Sequence, residues 1–186
     1  MGGTFDPIHV GHLRAAEIAR EAAGLDQVLF LPSHIPPHRP EPAGSPQDRY
    51  AMAALATASH PAFLVSDLEL RRDGPSYTAD TLRILAEERP ADERVLIVGS
   101  DTFPEMATWR RQDEIFARCR VAVVARPGEG EPPRGDARKP GVLWIEEAGL
   151  AVSATLVRAR VRQGRSVRYL VPEAVADYIA KKGLYR

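Results

Sequence analysis

A single cysteine, Cys119, stands in 186 residues, which excludes an internal disulfide framework and suits a reducing compartment. It lies in an apolar-periodic segment and reads as inert core. Net charge is lacking too, since 25 Lys and Arg balance 25 Asp and Glu. No global field therefore draws the chain onto nucleic acid or an anionic membrane, and any anion site must be local. No stretch approaches the roughly 18 uninterrupted apolar residues of a membrane span, and the N-terminus lacks a basic stretch followed by an apolar core. The cytoplasm is the expected compartment, with neither nucleic acid nor membrane as partner. The fingerprint Gly-x-Gly-x-x-Gly is missing, as is the lysine-bearing Walker loop, which argues against an oxidoreductase and a P-loop ATPase.

What is present is an ordinary globular balance, 44% hydrophobic and 27% charged, in a length that fits one domain. The expectation is a single domain over 1–186, with a small C-terminal helical part over about 153–186. Apolar stretches of two periods alternate. Helical spacing covers 13–23, 49–58, 78–88, 112–119, 154–163 and 173–181. Strand-like runs cover 27–31, 63–66, 94–98, 120–125 and 142–145. Short apolar strands separated by helices predict an α/β fold, a doubly wound, mostly parallel sheet with helices on both faces. Residues 32–46, with six prolines, and 126–141, rich in Gly and Pro, read as surface loops. The first is long enough to cover a substrate.

The segment Gly2-Gly3-Thr4-Phe5-Asp6-Pro7-Ile8-His9-Val10-Gly11-His12 runs directly into an amphipathic helix marked by Leu13, Ala16, Glu17 and Arg20. A glycine-rich loop opening a helix is a phosphate cradle, because backbone N–H groups can approach oxygens closely and the helix start adds free donors. His9 and His12 lie three apart around Gly11, so both rings can converge on one anion while the absent side chain leaves space. His-x-Gly-His would arise in only about one shuffled sequence of this composition in a hundred. Ser153 reads independently as a helix N-cap with Arg158 about one turn further in, a second anion-binding end. Asp101 follows an apolar run, outside a strand's C-terminal end, where ligands of parallel sheets bind.

Gly2–His12 resembles the signature loop of bacterial nicotinate-mononucleotide adenylyltransferases, within the wider His-x-Gly-His nucleotidyltransferases. Pro36-Pro37-His38-Arg39, Pro75-Ser76-Tyr77-Thr78, Gly99-Ser100-Asp101, Thr108-Trp109 and Val152-Ser153-Ala154-Thr155-Leu156-Val157-Arg158 resemble that family's later motifs in order. The resemblance covers nearly the whole chain and implies a Rossmann-like fold. The implied reaction transfers the adenylyl group of ATP to nicotinate mononucleotide, giving deamido-NAD and pyrophosphate. Gly2, Gly3 and Thr4 would then offer donors to phosphate, with His9, His12 and Arg158 as the catalytic set and Asp6 fixing the loop. Asp101, Ser153 and Thr155 would join them around ATP. Ser76, Tyr77, Thr78 and Trp109 would receive the mononucleotide, the amides near Tyr77 and Thr78 taking the ring carboxylate, with Thr78 capping its helix. His38 and Arg39 would close over phosphate. ATP would arrive with Mg²⁺ held by phosphates and water, with no metal ligand from the protein.

One departure from the resembled pattern is the absence of a full hydrophobic strand before the glycine loop, since Met1 immediately precedes Gly2. The first strand is therefore expected to be truncated, and a natural start further upstream is the corresponding expectation. Other readings are a nicotinamide-mononucleotide or phosphopantetheine adenylyltransferase and a non-catalytic nucleotide-binding protein. A nucleic-acid module has only the arginine cluster over 158–168 behind it. Homo-oligomer formation is left open by the sequence.

Overall fold

The structure is a computed structural model and describes residues 1–37, 40–127, 140–147 and 149–186. Along the chain run β1 (Gly2–Gly3), α1 (Val10–Ala23), β2 (Val28–Pro32), α2 (Pro46–Thr57), β3 (Phe63–Val65), α3 (Thr78–Glu88) and β4 (Val95–Gly99). A 3₁₀ turn (Pro104–Thr108), α4 (Gln112–Arg118), β5 (Arg120–Val124), β6 (Val142–Ile145), α5 (Ala154–Arg162) and α6 (Glu173–Lys182) complete it. Every strand pairing is parallel, in the orders β1-β2-β3 and β4-β5-β6.

Alternation along β4 and β5 explains why helices cover both faces. Leu96, Val98, Val121 and Val123 enter a core with Ala79 and Leu82 of α3 and Ile115 of α4. Ile97, Ala122 and Val124 turn the other way, into a core with Ala16, Ile18 and Ala19 of α1 and Val157 of α5. The expected doubly wound parallel architecture is thus observed. That second core also takes Val175 and Ile179 of α6 together with Phe5 and Ile8 of the glycine loop, so the C-terminal helices pack against the loop rather than apart from it.

The strands form two three-stranded ladders instead of one continuous sheet. The reason is β1, whose two residues pair only with Leu31 and Pro32 of β2. The Met1 amine donates to the Leu29 carbonyl at 2.8 Å. Beyond it β2 and β4 both flank a common cavity.

Local signals account for the helix boundaries. Ser45 accepts from the Asp48 amide at 3.1 Å and Pro46 occupies the first turn, so α2 begins before its apolar periodicity does. Ser153 caps α5 as expected, its hydroxyl accepting from the Leu156 amide at 3.1 Å. The expected Thr78 cap is corrected, because Tyr77, extended at φ −85° and ψ 128°, is the N-cap and Thr78 the first helical residue. Tyr77 caps without a side-chain hydrogen bond, so the residue-type preference on which the expectation rested does not operate there. Helix α1 begins at Val10 rather than Leu13, since the poor helix formers Val10 and Gly11 hide a first turn that His9 caps.

Candidate active site

Between the two ladders lies a cavity of about 870 Å³, at the large end of small-molecule sites. Its floor is the N-terminal loop. The loop's shape is set by braces from distant elements. Arg49 of α2, fully buried, donates to the carbonyls of Gly44 at 3.2 Å, Thr4 at 2.7 Å and His34 at 3.0 Å. Asp6 accepts from the amides of Ala43 and Gly44, both at 2.9 Å, and from the Tyr185 hydroxyl at 2.8 Å. Asp6 therefore ties the loop in place, as its sequence reading held. A side chain at residue 44 could not be accommodated, since its Cβ would stand 2.8 Å from an Asp6 carboxylate oxygen.

His9 and His12 stack with ring centroids 3.6 Å apart and planes 24° from parallel. Gly11 suits this pair, because a Cβ there would crowd it at 3.0 Å from His9 Nδ1 and 3.1 Å from the Leu150 carbonyl. His12 Nδ1 accepts the His9 backbone N–H at 3.2 Å. The acceptor nitrogen must be unprotonated, so the neutral ring carries its proton on Nε2 and presents it as a donor. Burial holds the His9 imidazole down to about 4, with the Arg126 guanidinium adding to the effect. His12 is pushed well below its ordinary value by burial, then by His9 and Arg126. Both rings are neutral near pH 7. Two stacked imidazolium ions would repel, so neutrality is also what the contact requires.

Arg158 of α5 reaches back across the chain to donate to the Asp6 carbonyl at 2.7 Å, and its other amino group lies 3.3 Å from the Thr155 hydroxyl. The carbonyls of Gly3, Thr4 and Asp6 are thus each committed, to Ser33, Arg49 and Arg158. That withdraws acceptors that would repel phosphate. Gly2, Gly3, Thr4, His9, His12, Thr155 and Arg158 all lie on the cavity wall. Ser153 does not, and its hydroxyl is spent on the cap.

The same cavity is lined by Ser76, Tyr77, Thr78 and Trp109. The Ser76 hydroxyl accepts from the His34 amide at 2.9 Å, while the Ser76 amide donates to the Ile35 carbonyl at 2.9 Å, which pins this loop to the one after β2. Trp109 ends the 3₁₀ turn and packs partly against the core of Leu82 and Met106. Asp101, two residues past β4, pairs with Arg126 at 2.5 Å. His38 and Arg39 lie outside the described residues.

Two contributors escaped the sequence reading. Arg49 sits in a helix whose apolar spacing makes an arginine read as exposed. Arg126 opens the segment read as a surface loop, yet it lines the cavity and its charge reaches both histidines. Neither position carries a local signal.

Burial of these groups ties stability to pH. Burial and Arg126 hold His9 down to about 4 from 6.5, and burial, His9 and Arg126 hold His12 well below its ordinary value. Each ring binds more protons when the chain is unfolded, so its contribution is complete above pH 6.5 and lost as pH falls, through 4 for His9. Glu69, whose buried carboxyl is pushed up, acts in the opposite sense. The thermal midpoint is expected to fall from about pH 6.5 to pH 4 in calorimetry. A flat profile would contradict the buried neutral pair.

Fold and site together define a nucleotidyltransferase built on a phosphate-binding loop, and the cytidylyltransferase-like family model matches residues 1–160. A probable nicotinate-nucleotide adenylyltransferase of Thermus thermophilus is 47% identical over all of this chain and 97% of its own length. One of Geobacter metallireducens is 42% identical over all of this chain and 96% of its own. The chain belongs to the nicotinate-nucleotide adenylyltransferase family. The fold matches that of the Plasmodium falciparum nicotinic acid mononucleotide adenylyltransferase complexed with NaAD, with a TM-score of 0.83 over 99% of this chain and 94% of the other at 17% identity. No helix among the described residues is long and apolar enough to cross a membrane.

Proposed function

We propose that residues 1–186 act as one nucleotidyltransferase domain that transfers the adenylyl group of ATP to nicotinate mononucleotide, in NAD biosynthesis. The observation that carries this reading is the convergence of His9, His12 and Arg158 on the glycine loop, in one cavity with Tyr77, Thr78 and Trp109. The names of the relatives support the same assignment.

In this reaction a phosphate oxygen of the mononucleotide attacks the α-phosphorus of ATP. The new P–O bond forms as the bond to the β-phosphate oxygen breaks, and pyrophosphate leaves. The nucleophile is already ionised at neutral pH, so no general base is needed, and catalysis reduces to alignment and stabilisation of growing charge. His12 donates from Nε2 to an oxygen of the transferring phosphate. His9 stands beside it, and its neutral ring gains basicity as a polyanion enters. Arg158, Thr155 and the Gly2–Thr4 backbone hold the triphosphate, with Asp101 near the adenosine. The amides near Tyr77 and Thr78, at the start of α3, receive the ring carboxylate, Trp109 offers its face, and Ser76 lines the mononucleotide's side of the cavity. His38 and Arg39 are assigned to the acceptor phosphate.

Mg²⁺ would be carried on the phosphates and water of ATP. The donor set fits that mode, since no three His, Cys, Asp or Glu side chains gather to hold a metal among the described residues, and Asp6 and Asp101 are committed to the loop and to Arg126. Metal held this way would lower the charge that the leaving group must carry.

Pyrophosphate release with ATP, Mg²⁺ and each acceptor in turn tests the assignment. Nicotinate mononucleotide should exceed nicotinamide mononucleotide and phosphopantetheine by at least about tenfold in kcat/KM. Preference for the amide, or saturable ATP binding without pyrophosphate release, would overturn it.

A further inference from the structure

We propose that Arg110 is a specificity-determining residue whose guanidinium receives the carboxylate of the acceptor's ring, so that this enzyme selects an acidic pyridine over its amide by charge. The inference rests on reading the Tyr77–Trp109 wall as the pyridine side of the cavity.

Arg110 directly follows Trp109, lies exposed on the cavity wall, and holds its Cζ 4.8 Å from the centre of the Tyr77 ring. The neighbouring arginines are committed elsewhere. Arg111 pairs with Asp80 and lies 3.9 Å from Glu114, while Arg72 lies 3.5 Å from Asp80 and 3.4 Å from the Thr81 hydroxyl. Asp80 is held below the usual carboxylate range chiefly by Arg111, with burial opposing and Arg72 and Arg110 contributing by charge. Arg110 forms no ion pair with any described residue.

Its position gives that charge a task. The first turn of α3 presents amides near Tyr77 and Thr78, but Asp80 stands in the same turn and Glu69 is buried behind it, bonded to the Thr81 hydroxyl at 2.7 Å. Asp80 beside a carboxylate-binding end would oppose an anionic ring. Arg111 and Arg72 both face Asp80, which leaves Arg110, over the Tyr77 ring, as a cation with no ion partner among the described residues. Held over the Tyr77 ring by cation–π attraction, the guanidinium keeps N–H groups available to a carboxylate. An amide in the same place offers one neutral oxygen and turns a donor toward the cation's donors, so the pairing discriminates between the two rings.

The test measures kcat/KM for nicotinate and nicotinamide mononucleotides with the wild type, Arg110→Ala and Arg110→Lys, together with KM for ATP and the melting temperature. Alanine should lower kcat/KM for the nicotinate substrate by about tenfold or more, mostly through KM, and leave the nicotinamide value within about twofold. Lysine should recover part of the loss. A selectivity ratio unchanged in Arg110→Ala, or an equal fall for both acceptors, would overturn the role of Arg110 while leaving the reaction assigned. A wild type with no preference for nicotinate would overturn the underlying reading as well. Because Arg110 is exposed and outside both cores, an unaltered melting temperature is expected in each variant.

Discussion

His12→Ala is expected to lower kcat by about a hundred- to a thousandfold while ATP affinity changes by less than about tenfold. The asymmetry follows from how the ring is held. Its Nδ1 is fixed by the His9 amide, so Nε2–H is aimed without reorganisation, and a preorganised donor gains most when charge accumulates in the transition state. The ground-state triphosphate keeps Arg158 and the loop backbone in the variant. His12→Asn, which retains a donor of different reach, should recover a small part of the rate. An unchanged kcat would remove His12 from the chemistry. An equal loss in binding and turnover would make it a plain phosphate ligand.

Arg49→Ala is expected to destabilise the protein by about 3–5 kcal/mol, because it strips three loop carbonyls of their donor, each left in a buried or part-buried setting. For a chain of this length that corresponds to a fall of roughly 6–20 °C in melting temperature. Arg49→Lys keeps the charge but cannot serve carbonyls of Thr4, His34 and Gly44 together, so an intermediate loss should follow. Turnover should fall with both, since the braced segment is the phosphate loop itself. Melting temperatures within about 2 °C of wild type would show that the loop holds its shape without Arg49.

The contrast between these two residues marks what the sequence could carry. His12 was visible because its chemistry is written in a short motif, with spacing, glycine and helix start adjacent along the chain. The structure adds the stack, the tautomer and the reason for Gly11. Arg49 was invisible because its three acceptors lie 45, 15 and 5 residues away, and no local pattern encodes their convergence. Arg126 escaped for the same reason.

At the level of fold, alternating periods located β2 to β6 and α1 to α6 because each of these elements buries an apolar face of its own. They could not reveal that the strands divide into two ladders. That depends on the pairing reach of β1, whose two glycines carry no hydrophobic period. The Tyr77 cap was misassigned by one residue, where the extended backbone rather than a side-chain oxygen ends the preceding loop. Arg158 was legible as a helix residue with a cationic end, yet its bond to the Asp6 carbonyl joins positions 152 residues apart. That bond is what turns two separate anion signals into one site.

Following the α-phosphate is the most direct measurement of the central claim. With ATP labelled at the α-phosphorus and nicotinate mononucleotide as acceptor, the label should appear in a dinucleotide in a one-to-one ratio with released pyrophosphate, and His12→Ala should suppress both together. Label recovered only as AMP, or retained in ATP while the acceptor binds, would contradict the account.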